Sequence, residues 1–166
     1  MAETRVQLTP SEILQCAIWG SMRNIESGRM AADKHGASSD RDGWQLNIMA
    51  VMAEAAWAKH RNIYYNASMN DYRAKDVGNY YQIRSSSIVY KSNACLRLHE
   101  SDDDDLPYIL ALVGMRDVVF VGWMYGFCGK QPQFWRDRWG VGRPAFFIEQ
   151  SDLLPMDTVP DIAKEE

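Results

Sequence analysis

Four residues whose types and spacing could do chemistry lie in the middle of the chain: Glu54, Asp76, Gln82 and Arg84. Glu54 is the one acid in the apolar run LNIMAVMAEAAWAKH, where a carboxylate without a partner would be costly. Asp76 stands just ahead of the turn signal Gly78-Asn79. Gln82 and Arg84 follow on a β-rich stretch. Their spacing puts both on one strand face, while Ile83 between them turns into the core and leaves its carbonyl along the strand edge. Gathered at one point, these groups would offer one or two carboxylates, an amide oxygen, a main-chain carbonyl and a fixed cation. Hard oxygen donors suit Mg²⁺ or Mn²⁺. A positive group beside them suits a phosphate, so the chemistry is metal-assisted phosphodiester cleavage.

Each residue also has a structural reading. Glu54 could be satisfied by a structural partner, Asp76 could be a turn residue, and Gln82 with Arg84 could be an exposed strand face. The acids Asp102, Asp103, Asp104 and Asp105 resemble a metal cluster, but such runs more often form solvated loops. Arg23, Arg29, Lys34 and His35 could form a local phosphate-binding edge or ordinary surface charge. Trp123, Trp135 and Trp139 could stack on bases, though the expectation is core or rim packing. Cys16, Cys95 and Cys128 read as buried thiols.

The elements that must position these residues follow from pattern. Thr9-Pro10-Ser11-Glu12 is a capping-box start for a helix to about residue 27, with Ile13, Ala17, Ile18, Met22 and Ile25 as its apolar face. Residues 28–43 read as a polar loop, and residues 44–60 as a deeply buried second helix. Residues 71–77 give a weak strand signal. Residues 80–90 and 95–99 read as strands, and 108–113 and 118–124 as central strands joined by a hairpin at 114–117. A short helix is expected over 129–139, a turn over 140–144 and a last strand over 145–149, with a loosely held tail after Leu154.

The chain has 166 residues, which suits a single domain: an N-terminal helix and loop over 9–43, a core over 44–150 and a tail over 155–166. A formal net charge of −4 disfavours a generally basic nucleic-acid binder and leaves room only for a local contact. Three scattered cysteines without a CxxC pair point to neither a disulfide framework nor a zinc ribbon. The start MAETRVQLTP has no apolar signal core, and no apolar run is long enough to span a bilayer, so a cytoplasmic setting is expected.

The pattern of Glu54, then Lys75-Asp76, then Gln82-Ile83-Arg84 resembles the PD-(D/E)XK nuclease superfamily. More closely, the chain looks like a group of small phage proteins of that fold. The matching segments are Arg23-Asn24-Ile25-Glu26-Ser27, Gly28-Arg29, His35-Gly36, Asp76-Val77-Gly78, Gln82-Ile83-Arg84-Ser85, Gly122-Trp123 and Arg143-Pro144-Ala145-Phe146-Phe147, spread over roughly residues 10–155. The resemblance implies an α/β fold: a mixed central sheet flanked by helices, with a restriction-endonuclease-like αβββαβ core and an extra N-terminal helix. It implies a Mg²⁺- or Mn²⁺-dependent hydrolase acting on DNA in the host cytoplasm. Glu54, Asp76, Gln82 and Arg84 would be the catalytic set, with Glu54, Asp76, Gln82 and the Ile83 carbonyl as metal ligands. The alternative is a catalytically inactive protein of the same fold that binds DNA or a host or phage protein. Two departures bear on the choice. Gln82 is neutral where the pattern favours an acid, and Arg84 cannot release a proton to act as a base.

Overall fold

The computed structural model describes residues 3–29, 43–67, 76–78 and 80–161. The strands are β1 (Thr4–Gln7), β2 (Gln82–Ser87), β3 (Leu96–Leu98), β4 (Pro107–Val113), β5 (Asp117–Tyr125), β6 (Trp135–Arg136) and β7 (Ala145–Ile148). Helix α1 is Pro10–Arg29, α2 is Gly43–Arg61, and α3 is the single turn Gly126–Gly129.

The capping box closes as its residue types require. Glu12 Oε2 accepts the Thr9 N–H at 2.6 Å, and Thr9 Oγ1 accepts the Glu12 N–H at 3.3 Å. Helices α1 and α2 cross at Gly20, where an added Cβ would fall 2.5 Å from the Ile48 Cα. Only a residue without a side chain permits that approach. It sets the helix spacing on which the Arg23–Glu54 contact depends.

Four strands form a mixed sheet in the order β1-β5-β4-β2. Strand β2 runs parallel to β4, and the other pairs are antiparallel. Its centre, β4 and most of β5, is buried throughout, as expected of apolar runs enclosed on both faces. One face carries Val6, Ile83, Ile109, Ala111 and Phe120 and packs against α1 and α2, with Trp57 at the middle of that core. The other face carries Tyr108, Leu110, Leu112, Val119 and Val121 and packs on a second, antiparallel sheet of order β3-β7-β6 through Leu96, Leu98, Phe146 and Ile148. The protein is thus a mixed α/β structure in three layers, with helices, a four-stranded sheet and a small sheet.

Several expectations need correction. The helix expected over 129–139 is instead α3, a 3₁₀ turn at Pro132–Phe134 and the short strand β6. The Gly, Pro and Trp content there interrupts any helical run. Strand β1 was not expected; four residues give too short an alternation to read, and pairing with β5 forms it. The tail is not loose as far as Asp161. Leu154 pairs with Trp123, Met156 and Val159 are buried, and the Trp123 indole donates to the Pro155 carbonyl and Thr158 Oγ1. The face of α1 assigned to the core is turned partly outward: Ile18, Met22 and Ile25 are exposed, whereas Cys16 and Gly20 are buried. The weak strand over 71–77 lies mostly outside the described residues. Among the described residues no helix is long and apolar enough to cross a membrane.

Candidate functional site

Glu54 sits on the buried side of α2 and is 4% exposed, in a helix whose neighbours are Ala, Met, Val and Trp. Such a position needs a partner for the charge. Arg23 of α1 supplies it. Its two terminal nitrogens each lie 2.7 Å from a different Glu54 oxygen, a fork-to-fork pair. Tyr65 donates its hydroxyl to Glu54 Oε2 at 2.6 Å. Burial opposes charge on Arg23, but Glu54 outweighs it and holds the guanidinium above its ordinary pKa. Burial and then the Glu54 charge push the Tyr65 phenol upward, so it stays a donor.

Asp76 approaches from the edge of the main sheet. Gly78 takes a left-handed φ of 62°, and Val77 bridges Tyr81 across the turn, which folds the chain back beside edge strand β2. There Asp76 Oδ2 accepts the Ile83 N–H at 2.7 Å. The N–H and C=O of a residue in extended strand point the same way, so the Ile83 carbonyl shares this edge. Burial, and next the Glu54 charge, raise the Asp76 pKa to about 6; the Ile83 N–H, Arg84 and Arg23 pull the other way. The Glu54 charge therefore disfavours the ionised form of Asp76.

The expected quartet is divided by the sheet. Tyr81 and Ile83 enter the core beneath the helices, so alternation turns Gln82 and Arg84 to the opposite face. Arg84 lies over the Tyr108 ring at 5.2 Å, and its Nη2 is 2.9 Å from Asp102 Oδ1. Arg84 still acts on Asp76 through its charge, but its guanidinium is committed to Asp102. Gln82 is half-buried and makes no side-chain hydrogen bond among the described residues. Asp102 also accepts the His99 N–H at 2.9 Å, and Asp104 pairs with Lys130 at 2.8 Å. The acidic run expected to be a solvated loop is therefore braced to its surroundings.

Arg23, expected at a phosphate-binding edge, is instead the partner of Glu54 and 18% exposed in its side chain. The Arg29 side chain and all of Lys34, His35 and Lys75 lie outside the described residues. Sequence reading missed Tyr65 and the pairing of Asp102 with Arg84. A buried acid on a helix does signal that a cation and a donor must exist, but only packing says which ones. Among the described residues no group of three or more His, Cys, Asp and Glu side chains comes together as a metal site. A cation at the Asp76 edge would draw on two carboxylates at most. That donor set still fits a hydrated Mg²⁺ or Mn²⁺, which often takes one or two carboxylates and fills its remaining positions with water.

Comparison with known proteins found no matching family model, no similar curated protein and no similar solved structure.

Proposed function

We propose that the protein is a divalent-metal-dependent nuclease acting on DNA in the cytoplasm, with Asp76 as the residue that anchors the ion. The observation that carries this reading is the half-buried Asp76 carboxylate held at the β2 edge. Asp76 is tied to the Ile83 N–H at 2.7 Å, and burial together with the Glu54 charge raises its pKa. A carboxylate opposed by another in a half-buried position is unfavourable alone and is relieved by a cation. The Ile83 carbonyl on the same edge is a second hard donor. When bound, the ion would polarise the phosphate and lower the pKa of its water. Glu54 would act from behind, its charge balanced by Arg23 and its orientation held by Tyr65. Arg84 would add positive potential without taking a proton.

The reading extends to the fold. Helix α2, strand β2 and the β4–β5 hairpin serve as the counterparts of the first elements of a restriction-endonuclease-like core. The helix that core requires before its last strand is reduced to α3.

Calorimetric titration with Mn²⁺ and cleavage of plasmid DNA test the proposal together. Heat of binding and nicking, both lost in Asp76→Ala, support it. Absence of both overturns it in favour of a second reading, a non-catalytic protein of the same fold that binds DNA or a protein. That reading draws on one specific observation: both oxygens of Glu54 are already occupied by Arg23 and Tyr65.

A further inference from the structure

The outer face of the second sheet is chemically unlike the rest of the molecule. Arg97, Arg136 and Arg138 gather here with Asp137 and Glu149, three cations and two acids, in a chain whose formal net charge is −4. Alternation along β3 and β7 sends Leu96, Leu98, Phe146 and Ile148 inward, so Arg97 and Phe147, directly paired in register, lie on the opposite face, where Phe147 is itself buried. Trp139 stands on Phe147 edge to face, with ring centroids 5.1 Å apart at 87°. The Arg97 guanidinium lies over the Trp139 ring at 5.8 Å. Arg138 lies near Phe147, and Glu149 is the acid that both Arg136 and Arg138 share. Glu149 is shared between two guanidiniums and Asp137 is turned to the loop N–H groups, so with Arg97 the face keeps a surplus of about one positive charge.

The loop that presents Trp139 is built to hold its shape. Asp137 accepts the Val141 N–H at 3.2 Å and the Gly142 N–H at 2.7 Å, one on each carboxylate oxygen. Gly140 and Gly142 have φ of 65° and 73°, a conformation that excludes ordinary side chains at low cost. Trp139 is thereby kept 56% exposed despite its size. Leaving a large aromatic in water costs free energy, and a preorganised one beside guanidiniums is a stacking platform.

We infer that this face binds single-stranded nucleic acid, with a base stacked on Trp139 and phosphates held by Arg97 and Arg136, while Arg138, bonded to Cys95, Glu149 and the Asn93 carbonyl, adds positive charge. Stacking on an exposed indole needs an unpaired base, which selects a single strand over a duplex. Guanidiniums match phosphate oxygens and complement a polyanion that the acidic remainder of the chain repels. The face lies in the layer opposite the helices that carry Glu54, so the inference stands without the metal reading.

The test is fluorescence anisotropy of the full chain with labelled oligothymidylate, oligouridylate and a duplex, all in EDTA so that no metal chemistry contributes. Binding of at least one single strand in preference to the duplex is expected, and the two single-stranded arms tell DNA from RNA. Trp139→Ala should weaken binding about tenfold, and Trp139→Phe should recover part of the loss. Arg97→Gln, which leaves the indole in place, should reduce the slope of log affinity against log salt by about 0.7. Trp135→Phe, on the inner face against Phe146, should leave affinity unchanged. No binding to either single strand, preference for the duplex, or equal affinity of the Trp139→Ala and Arg97→Gln variants with the parent would overturn the inference. Circular dichroism of each variant confirms that its fold is retained.

Discussion

Arg23 and Glu54 form a two-pronged ion pair between α1 and α2, each terminal nitrogen 2.7 Å from its own oxygen. Glu54 is buried and Arg23 nearly so, so the pair is worth most when considered as a unit. Arg23→Met removes the cation and strands a buried carboxylate; it should lower unfolding free energy by about 3 kcal/mol in urea titration. The double variant Arg23→Met with Glu54→Leu should recover most of that loss. If the single and double variants lose the same stability, the pair is not the source.

Tyr65 donates to the same carboxylate at 2.6 Å. Tyr65→Phe keeps the ring, including its edge contact with Trp19, and deletes only the hydroxyl. A hydrogen bond to a charged acceptor contributes roughly 2 kcal/mol. The expected loss in chemical denaturation is of that size, and a loss below about 0.5 kcal/mol would show that water replaces the hydroxyl freely.

Asp76 makes stability depend on pH in a defined direction. Its folded pKa, about 6, lies above the ordinary 3.8. Between those values the folded state holds the proton more tightly than the unfolded chain, so stability falls as pH rises from about 4 to about 6 and stays lowered above. The deficit at neutral pH is on the order of 2–3 kcal/mol. Asp76→Asn keeps an oxygen for the Ile83 N–H and removes the charge. It should be more stable than the parent at pH 7 and equal to it near pH 4. Mn²⁺ should shrink the difference at pH 7 if the cation binds at this edge.

Gln82 offers a test of the divided site. Gln82→Glu would complete the acidic pattern on paper, but alternation with Tyr81 and Ile83 puts the side chain on the sheet face turned away from the helices. Mn²⁺ affinity measured by calorimetry should change less than about twofold, well under 1 kcal/mol. A tenfold gain would mean that residue 82 reaches the Asp76 edge.

Gly20 sits where the two helix backbones meet, with the Ile48 Cα 2.5 Å from any added Cβ. Gly20→Ala gains helix propensity but forces α1 away from α2. The net effect should be a loss of about 2–3 kcal/mol, with the Arg23–Glu54 pair weakened in consequence. Thermal denaturation decides the sign, since propensity alone would stabilise.

The mixed α/β character, the capping box, the central hairpin and the turn at Gly78 were all legible in the residues, because each rests on local chemistry or on the period of burial, whereas the second sheet of β3, β7 and β6 was not. Glu54 was legible as a residue needing a partner, and Asp76 as a turn residue near a strand edge. Tertiary structure decided the rest. A strand's alternation tells which residues share a face but not which face meets the helices, so Gln82 and Arg84 shared a face as expected and still turned away from Glu54. Arg23 looked like one of several surface cations until the crossing at Gly20 brought it against Glu54. Asp102 looked like a member of a repelling run until folding set it beside Arg84. Even the stacking face arose this way, since Arg97 and Trp139 are distant in sequence and meet only because β3 and β7 pair. Local propensity acts within a turn or a strand; the pairing of buried charges is settled by which elements pack, and that is a property of the whole chain.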